Sequence, residues 1–216
     1  MMKAIILQHV AFETPGYINN WMAEREVDSQ LIRVDLGEEI PYDADIDLLV
    51  VLGGPMSAND NDPFLKQERQ LIQQQLKKNR AVFGICLGAQ QLAVCLGETI
   101  QSTPKEVGWG NVVDYRTNQA YTVLHWHGEG FSFPTGSTRL FYSDDWANQG
   151  FQYKRAIGLQ FHLETTPTSI RAIVENDEAF LKQSILKQTA TEVMNHPIAT
   201  ENKELLYHLL DQLMGD

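Results

Sequence analysis

The first half of the chain alternates short apolar runs with segments whose apolar residues recur at helical spacing. Residues 4–7, 31–34, 46–52 and 81–85 have the length and composition of strands. The run at 46–52 is almost wholly apolar, as expected of a strand that is buried on both faces. Helices are predicted between these strands and after the last one, at residues 17–26, from Asp62-Pro63 to about Asn79, and at 87–96.

The pattern changes after residue 99. Short alternating runs, separated by turns rich in Gly, Pro and Asn, predict strands at 111–115, 121–126, 139–142 and 156–161, and helices follow at 168–187 and 203–214. Strand-helix alternation early in the chain predicts a parallel sheet with helices on both faces. We therefore expect an α/β fold with an open, mostly parallel sheet, an additional antiparallel β portion, and one domain spanning residues 1–216.

The charge and cysteine content of the chain limit the classes of molecule that it is expected to bind. With 17 basic and 28 acidic residues the chain has a formal charge of −11, which repels nucleic acid and anionic membrane surfaces. Its two cysteines, Cys86 and Cys95, lie in one apolar stretch, unlike the scattered cysteines of a disulfide-stapled secreted scaffold. The N-terminal apolar run is too short to span a membrane and lacks a signal-cleavage pattern. A cytoplasmic protein without nucleic-acid or membrane partners is expected.

Three groups of chemically useful residues follow predicted strands: Gly53-Gly54-Pro55, Cys86, and His162 with Glu164. In open α/β sheets, ligands bind beyond the carboxyl ends of the strands. The glycines at 53–55 alone indicate only a turn. Because they follow a fully buried strand, the Gly54 N–H can face a carbonyl oxygen held over Cys86.

Cys86 lies between two glycines, two residues to either side, at a predicted strand-to-helix turn. Gly84 and Gly88 allow a sharp turn and close packing of helix on strand. The partial positive charge of a helix N-terminus stabilises a thiolate, and the Leu87 N–H points to where an oxyanion would form. The alternative is a small buried hydrophobe, which is the interpretation that we favour for Cys95.

His162 and Glu164 supply the partners that a nucleophilic cysteine needs. In an extended chain they point to the same side, so the carboxylate can orient the imidazole while the imidazole faces the thiol. A solitary histidine is more often a surface or core residue, but this one ends an apolar strand and has an acid two residues on. We therefore predict a Cys86-His162-Glu164 triad.

The segment His125-Trp126-His127-Gly128-Glu129 has three interpretations. Two histidines at i and i+2 on a strand could bind a metal, but no further ligand accompanies them at suitable spacing in the sequence, so no metal is predicted. Ordinary strand packing is the second. The favoured interpretation is a pocket wall, whose backbone near Gly128 holds the α-amino and carboxylate ends of an amino acid.

Together these residues resemble the class I (triad) glutamine amidotransferases, and among them stand-alone proteins similar to the amidotransferase domain of GMP synthase. The resemblance covers nearly the whole chain. The matching segments are 52–56, 84–90, 105–109, 125–129, 148–149 with Phe151, and 160–164.

The resemblance implies a flavodoxin-like sheet and assigns a role to each site residue. Cys86 is the nucleophile, His162 the general base and then acid, and Glu164 the residue that orients it. The oxyanion donors are Gly54 and Leu87, and the substrate contacts are Gln90, Trp126, His127 and Gly128. No cofactor is implied.

Three departures from the family pattern bear on the substrate. His162-Leu163-Glu164 stands where His-Pro-Glu is usual, which keeps both triad side chains. The chain between Tyr115 and Tyr121 is shorter than expected, and Gly128-Glu129 replaces Gly-Asp. We expect the triad to be retained and the rim of the pocket to differ.

Three functions remain open. The first is a glutaminase that releases ammonia for a separate synthase, since no Gly-rich phosphate loop is present and no synthase domain fits the length. The second is an independent γ-glutamyl hydrolase acting on a γ-glutamyl amine or peptide. The third is a non-enzymatic binding or regulatory protein that retains the fold. The first two make the protein a cysteine-nucleophile amidohydrolase with a small-molecule substrate.

Overall fold

The structure, a computed structural model, describes residues 2–215, and within them the strands form a single sheet of nine. Along the chain the strands are β1 (Lys3–Gln8), β2 (Asp28–Arg33), β3 (Leu48–Val51), β4 (Ala81–Ile85), β5 (Ile100–Asp114), β6 (Ala120–Phe131), β7 (Thr138–Tyr142), β8 (Gly150–Tyr153) and β9 (Ala156–Leu159). The helices are α1 (Tyr17–Glu24), α2 (Pro63–Lys77), α3 (Leu87–Cys95), α4 (Pro167–Leu181), α5 (Ala190–Asn195) and α6 (Thr200–Met214).

The sheet has a parallel half and an antiparallel half. Its strand order is β2-β1-β3-β4-β9-β8-β7-β5-β6. The strands β2, β1, β3, β4 and β9 pair in parallel, and every pairing from β9 through β8, β7 and β5 to β6 is antiparallel. The parallel half therefore has the flavodoxin-like arrangement, and the predicted α/β fold with an added antiparallel portion is confirmed.

Each face of the parallel half carries its own core because successive residues of a strand point to opposite sides. In β3, Leu48 and Val50 pack in the core under α1 and α6, whereas Leu49 and Val51 pack in the core under α2 and α3. All four residues of β3 are buried, as the continuous apolar run predicts. A third core lies between the β5–β6 hairpin and α4.

The antiparallel half departs further from the sequence prediction. β5 begins at Ile100 instead of residue 111, and its register against β6 shifts between Ser102 and Glu106, around Pro104. A proline removes a ladder hydrogen bond, so the segment before the shift lacked a strand signature. β8 and α5 were not predicted, because four and six residues are too short to show a period.

The start of α2 agrees with the sequence prediction, whereas the end of α4 does not. α2 begins at Pro63 as expected, but the Asp62 side chain makes no capping hydrogen bond. α4 ends at Leu181 instead of residue 187 and is interrupted at Asp177, where φ is −138° and ψ is 37°. None of the helices between residues 2 and 215 is long and apolar enough to cross a lipid bilayer.

Candidate active site

Cys86 lies at the sharp turn between β4 and α3. Its backbone has φ 50° and ψ −108°, a region that residues with a Cβ rarely adopt and that stores strain. A Cβ at Gly84 would lie 2.5 Å from the Gly88 carbonyl oxygen, and a Cβ at Gly88 would collide with the Val51 carbonyl. The tight turn and close helix packing predicted from the two glycines are confirmed.

The Cys86 side chain borders a cavity of about 580 Å³ beyond the ends of the parallel strands. Its sulfur lies 3.7 Å from the Trp126 carbonyl oxygen and 3.6 Å from the side-chain nitrogen of Gln160. At the other end of α3, the Cys95 sulfur contacts the Arg69 carbonyl, and burial raises the pKa of its thiol to about 12. Only Cys86 of the two cysteines lines the cavity.

His162 lies just past β9, where its N–H donates to the Leu124 carbonyl on β6 over 2.8 Å. Its Nδ1 atom is 2.7 Å from Glu164 Oε1, the contact expected from the i, i+2 spacing. Burial lowers the pKa of His162, but Glu164 and the Cys86 thiol together outweigh this and hold it well above the usual range. The Nε2 atom has no hydrogen-bond partner among residues 2–215, so it is available to a reacting group.

The thiol and the imidazole flank the same glycine. A Cβ built on Gly53 would lie 3.2 Å from His162 Cε1 and 3.4 Å from Cys86 Cβ. The structure thus brings together two residues that are 76 positions apart in the sequence. Catalytic hydrogen bonds often tighten only when substrate is bound, so this arrangement is compatible with proton transfer between them.

The N–H groups of Gly54 and Leu87 donate to no acceptor among the described residues. Next to Gly54, the Gly53 carbonyl accepts a 2.8 Å hydrogen bond from the buried His9 ring, whose other nitrogen bonds Glu68 on α2. Burial lowers the pKa of His9, but Glu68 outweighs it and raises the pKa above its usual value. His9 therefore anchors the peptide whose N–H belongs to Gly54.

The predicted substrate contacts Gln90, Trp126, His127 and Gly128 all line the cavity. The Gln90 amide nitrogen donates to the Glu129 carbonyl over 3.1 Å and to Gln160 Oε1 over 3.3 Å, so α3 is tied to the wall formed by β6.

Sequence reasoning missed three residues of the site. His9 and Glu13 follow β1, and Asp177 lies at the interruption of α4, where it accepts a 3.0 Å hydrogen bond from the Trp126 indole. Both carboxylates line the cavity. The signal for His9 and Glu13 was available, because β1 is a parallel strand and its carboxyl end faces the same edge as the ends of β3 and β4.

The expectation that no carboxylate accompanies His125 and His127 is wrong. Glu106 pairs with His127 across the β5–β6 hairpin, a neighbour that linear spacing does not reveal. Ligand atoms of the three buried side chains lie within 4.8 Å of one another, so these residues have the donors to hold a metal ion. Both Glu106 oxygens already accept hydrogen bonds, from Ser143 over 2.8 Å and Gln149 over 2.7 Å, which makes the cluster a polar anchor beneath the cavity wall.

The protonation states in this cluster follow from its burial. Burial raises the pKa of Glu106 to about 7. Burial, reinforced by the nearby His162, lowers the pKa of His127 to about 3, and the pKa of His125 also lies well below its usual value. Both histidines are therefore neutral at physiological pH, and neither competes with His162 for the role of proton donor.

Comparison with known proteins finds relatives that match most or nearly all of the chain. A model of the family described as glutamine amidotransferase class-I matches residues 17–182. The glutamine amidotransferase-like protein YfeJ of Salmonella typhimurium is 29% identical over 232 residues, covering 98% of this chain and 97% of that protein.

Solved structures are similar over most or all of the chain. A glutamine amidotransferase from Thermotoga maritima has a TM-score of 0.90 and 30% identity, covering 100% of this chain and 99% of that one. One from Methylobacillus flagellatus has a TM-score of 0.88 and 26% identity, covering 100% and 93%. A protein described as a GMP synthase subunit, from Thermoplasma acidophilum, shares the fold, with a TM-score of 0.62 and 21% identity over 87% of this chain and 98% of that one.

Proposed function

This chain belongs to the class I glutamine amidotransferase family, and on that premise we propose that it is a cysteine-nucleophile amidohydrolase that cleaves the γ-carboxamide of glutamine or of a γ-glutamyl compound. The observation that carries the proposal is the pair formed by His162 and Glu164, 2.7 Å apart, with the His162 ring and the Cys86 side chain both within 3.4 Å of the position that a Cβ on Gly53 would take. Residues 1–216 act as one domain, with the triad at the carboxyl ends of β4 and β9.

The reaction begins with a Cys86 thiolate and a protonated His162, a state that the raised pKa of His162 favours. The sulfur attacks the γ-carbonyl carbon, and the oxygen takes up the negative charge facing the N–H groups of Gly54 and Leu87. The C–N bond breaks as His162 Nε2 gives its proton to the departing nitrogen, which leaves a γ-glutamyl thioester and a neutral imidazole.

Hydrolysis of the thioester restores the enzyme. Water attacks the carbonyl carbon while His162 takes its proton, and the C–S bond then breaks to return the thiolate. The products are the free amine or ammonia and glutamate, whose new carboxyl group loses its proton to solvent. Glu164 keeps the imidazole oriented throughout and stabilises its positive charge.

Cys86, which precedes α3, and Cys95, which ends it, provide a matched test. We expect Cys86→Ala to lower glutaminase or γ-glutamyl hydrolase activity by about 10,000-fold or more, because the covalent step is lost. Cys95→Ala should retain activity close to that of the wild type. Turnover that survives in the Cys86→Ala variant, with the fold verified by circular dichroism, would overturn the assignment.

Labelling separates an enzyme from a binding protein that retains the fold. An electrophilic glutamine analogue should add one equivalent to Cys86, detected by peptide mass spectrometry, and none to Cys95. Failure to label Cys86 would favour the non-enzymatic alternative. Glutamine turnover that appears only after addition of a synthase would identify an ammonia-supplying partner of that synthase.

A stand-alone γ-glutamyl hydrolase is a second candidate that the cavity favours. The cavity volume of about 580 Å³ exceeds that of a glutamine side chain, and the cavity also extends to Phe12 and Glu13. Room on that side suits an amine larger than ammonia. Cleavage of γ-glutamyl amides by the isolated chain, measured as amine release, tests this candidate.

A further inference from the structure

Glu13 is a carboxylate of the cavity for which the triad mechanism has no use. It belongs to the loop between β1 and α1, and a Cβ built on Gly53 would overlap Glu13 Oε2. The same hypothetical Cβ would lie beside His162 and Cys86, so Glu13 is packed directly against the reacting groups.

The loop that carries Glu13 is fixed at both ends. At its start, His9 bonds the Gly53 carbonyl. At its end, the Tyr17 N–H donates to the Glu164 carbonyl over 2.8 Å, and Gly16, with φ 47°, approaches that carbonyl so closely that a Cβ would collide with it. Glu13 is therefore held in place by the backbone of the site itself.

Burial leaves the Glu13 carboxylate in need of a partner. The residue is 9% exposed, yet it has no hydrogen bond or ion pair with any residue between 2 and 215. Burial raises its pKa above the usual value, an effect that His162 opposes and Glu164 strengthens. A buried carboxylate at the wall of a cavity is stabilised when a ligand brings a positive charge.

The position of Glu13 indicates which part of a substrate it meets. The glutamyl portion is proposed to extend toward Gln90 and residues 126–128, and the departing nitrogen must face His162, which protonates it. Glu13 Oε2 and His162 Cε1 both lie close to the point that a Cβ on Gly53 would occupy, so the Glu13 carboxylate lies near the imidazole that is proposed to protonate the leaving nitrogen. This inference rests on the proposed function.

Other charges around the cavity strengthen the negative field. Asp177 and Glu129 also line it, and the one lysine or arginine among its lining residues is Lys105, which bonds Gln183 and lies over the Phe180 ring. A leaving group that carries a carboxylate would be repelled by Glu13 and Asp177, whereas an ammonium group would be attracted.

We propose that Glu13 is a specificity-determining residue that binds a positive charge on the leaving amine, so that the substrate class is γ-glutamyl amides of diamines and not γ-glutamyl peptides. A diamine joined through one nitrogen keeps its second ammonium group free to bond Glu13. Cleavage then releases glutamate and the diamine, and the departing nitrogen receives its proton from His162.

Three γ-glutamyl amides of similar length separate the possibilities. γ-Glutamyl-putrescine carries a positive terminus, γ-glutamyl-pentylamine a neutral one and γ-glutamyl-γ-aminobutyrate a negative one. For the wild type we expect kcat/KM for the putrescine amide to exceed that for the pentylamide by about 10- to 100-fold, the size of a hydrogen bond between charged groups. The aminobutyrate amide should be cleaved most slowly.

The isosteric variant Glu13→Gln should bring the putrescine-to-pentylamine ratio close to one, whereas Glu13→Asp, which keeps the charge, should retain part of the preference. Because the readout is a ratio, a general loss of activity does not imitate the effect. Labelling of Cys86 in each variant verifies that the site is intact.

A ratio near one in the wild type, a preference for the aminobutyrate amide, or an unchanged ratio in Glu13→Gln would overturn the role of Glu13 while leaving the triad standing. No turnover of any γ-glutamyl compound by the wild type, together with unlabelled Cys86, would instead overturn the proposed function and this inference with it.

Discussion

The parallel and antiparallel halves of the sheet contribute to the site in different ways. The parallel half presents the groups that exchange protons and charge, and it fixes them through the backbone: the positive φ of Cys86 and glycines that admit no Cβ at 84 and 88. The antiparallel half presents a wall, the end of β6, that is held by side-chain hydrogen bonds such as the one from Trp126 to Asp177. Backbone-fixed groups suit chemistry that tolerates little displacement, whereas the wall can vary with the substrate.

Among changes in the parallel half that leave Cys86 and His162 in place, removal of the Glu164 carboxylate that bonds the His162 ring should lower activity the most. We expect Glu164→Gln to lower kcat/KM by about 1,000-fold because the ring loses its orientation and charge stabilisation. Since Glu164 helps to raise the pKa of His162, the alkaline limb of the pH profile should also move to lower pH in this variant. The exposed change Glu175→Gln on α4 serves as the control. An unmoved alkaline limb would contradict the assigned role.

Substitutions in the antiparallel half should change the free energy of unfolding more than the reaction rate. The Glu106 carboxyl has a pKa of about 7 in the folded state and an ordinary value of 4.5, so folding loses stability as pH rises through that window. We expect the unfolding free energy of Glu106→Gln, relative to the wild type, to increase by about 3 kcal/mol between pH 4 and pH 8.

Urea unfolding at several pH values measures this difference. The exposed change Glu201→Gln, at the start of α6, should follow the wild type at every pH. A Glu106→Gln curve parallel to the wild type would show that the buried carboxylate ionises freely and does not act as an anchor of the hairpin.

His9 tests whether the parallel half also aligns the oxyanion donors. We expect His9→Gln to lower kcat by about 10- to 100-fold with little change in KM, because the Gly53–Gly54 peptide loses its anchor and the oxyanion exists only in the transition state. His208→Gln, at an exposed position of α6, is the matched control. A rise in KM with unchanged kcat would place His9 in substrate binding instead.

The smallest effect is expected at the wall. Trp126→Phe removes the indole donor to Asp177 and should raise KM about threefold to tenfold with kcat nearly unchanged. Trp109→Phe is a matched change on the same hairpin, where the indole bonds the Val193 carbonyl away from the cavity. If Trp126→Phe lowered kcat as strongly as His9→Gln, the claim that the parallel half carries the chemistry and the antiparallel half forms a wall would be wrong.

The same two halves differ in how far their structure follows from the sequence. β3 and β4 were predicted with bounds close to the observed ones because a strand buried on both faces is a continuous apolar run. β5 was only half predicted, since its first part is polar, contains Pro104 and is defined by pairing with β6. The sequence pattern therefore predicts buried apolar strands well, and it predicts poorly those polar strands that form only because they pair with a neighbouring strand.

The site residues also differ in how far the sequence predicts them. Cys86, His162 and Glu164 could be proposed from the sequence because each carries a local motif, and their roles stay predictions until activity is measured. His9 and Glu13 were missed, although the end of the parallel strand β1 marks their location, since their contacts reach Gly53 across about 40 residues and no local motif assigns them a role. Glu106 was missed for the same reason, because its partner faces it across a hairpin.

The tethering of residues 10–15 has a consequence for redesign. His9 holds one end of this segment against Gly53, which follows β3, and Gly16 holds the other against Glu164, which follows β9, so the residues between them can be exchanged without moving either anchor. Changing the charge at position 13, with both anchors kept, should change which amines are accepted. Lengthening the segment should lower activity first, because the anchors would no longer fit.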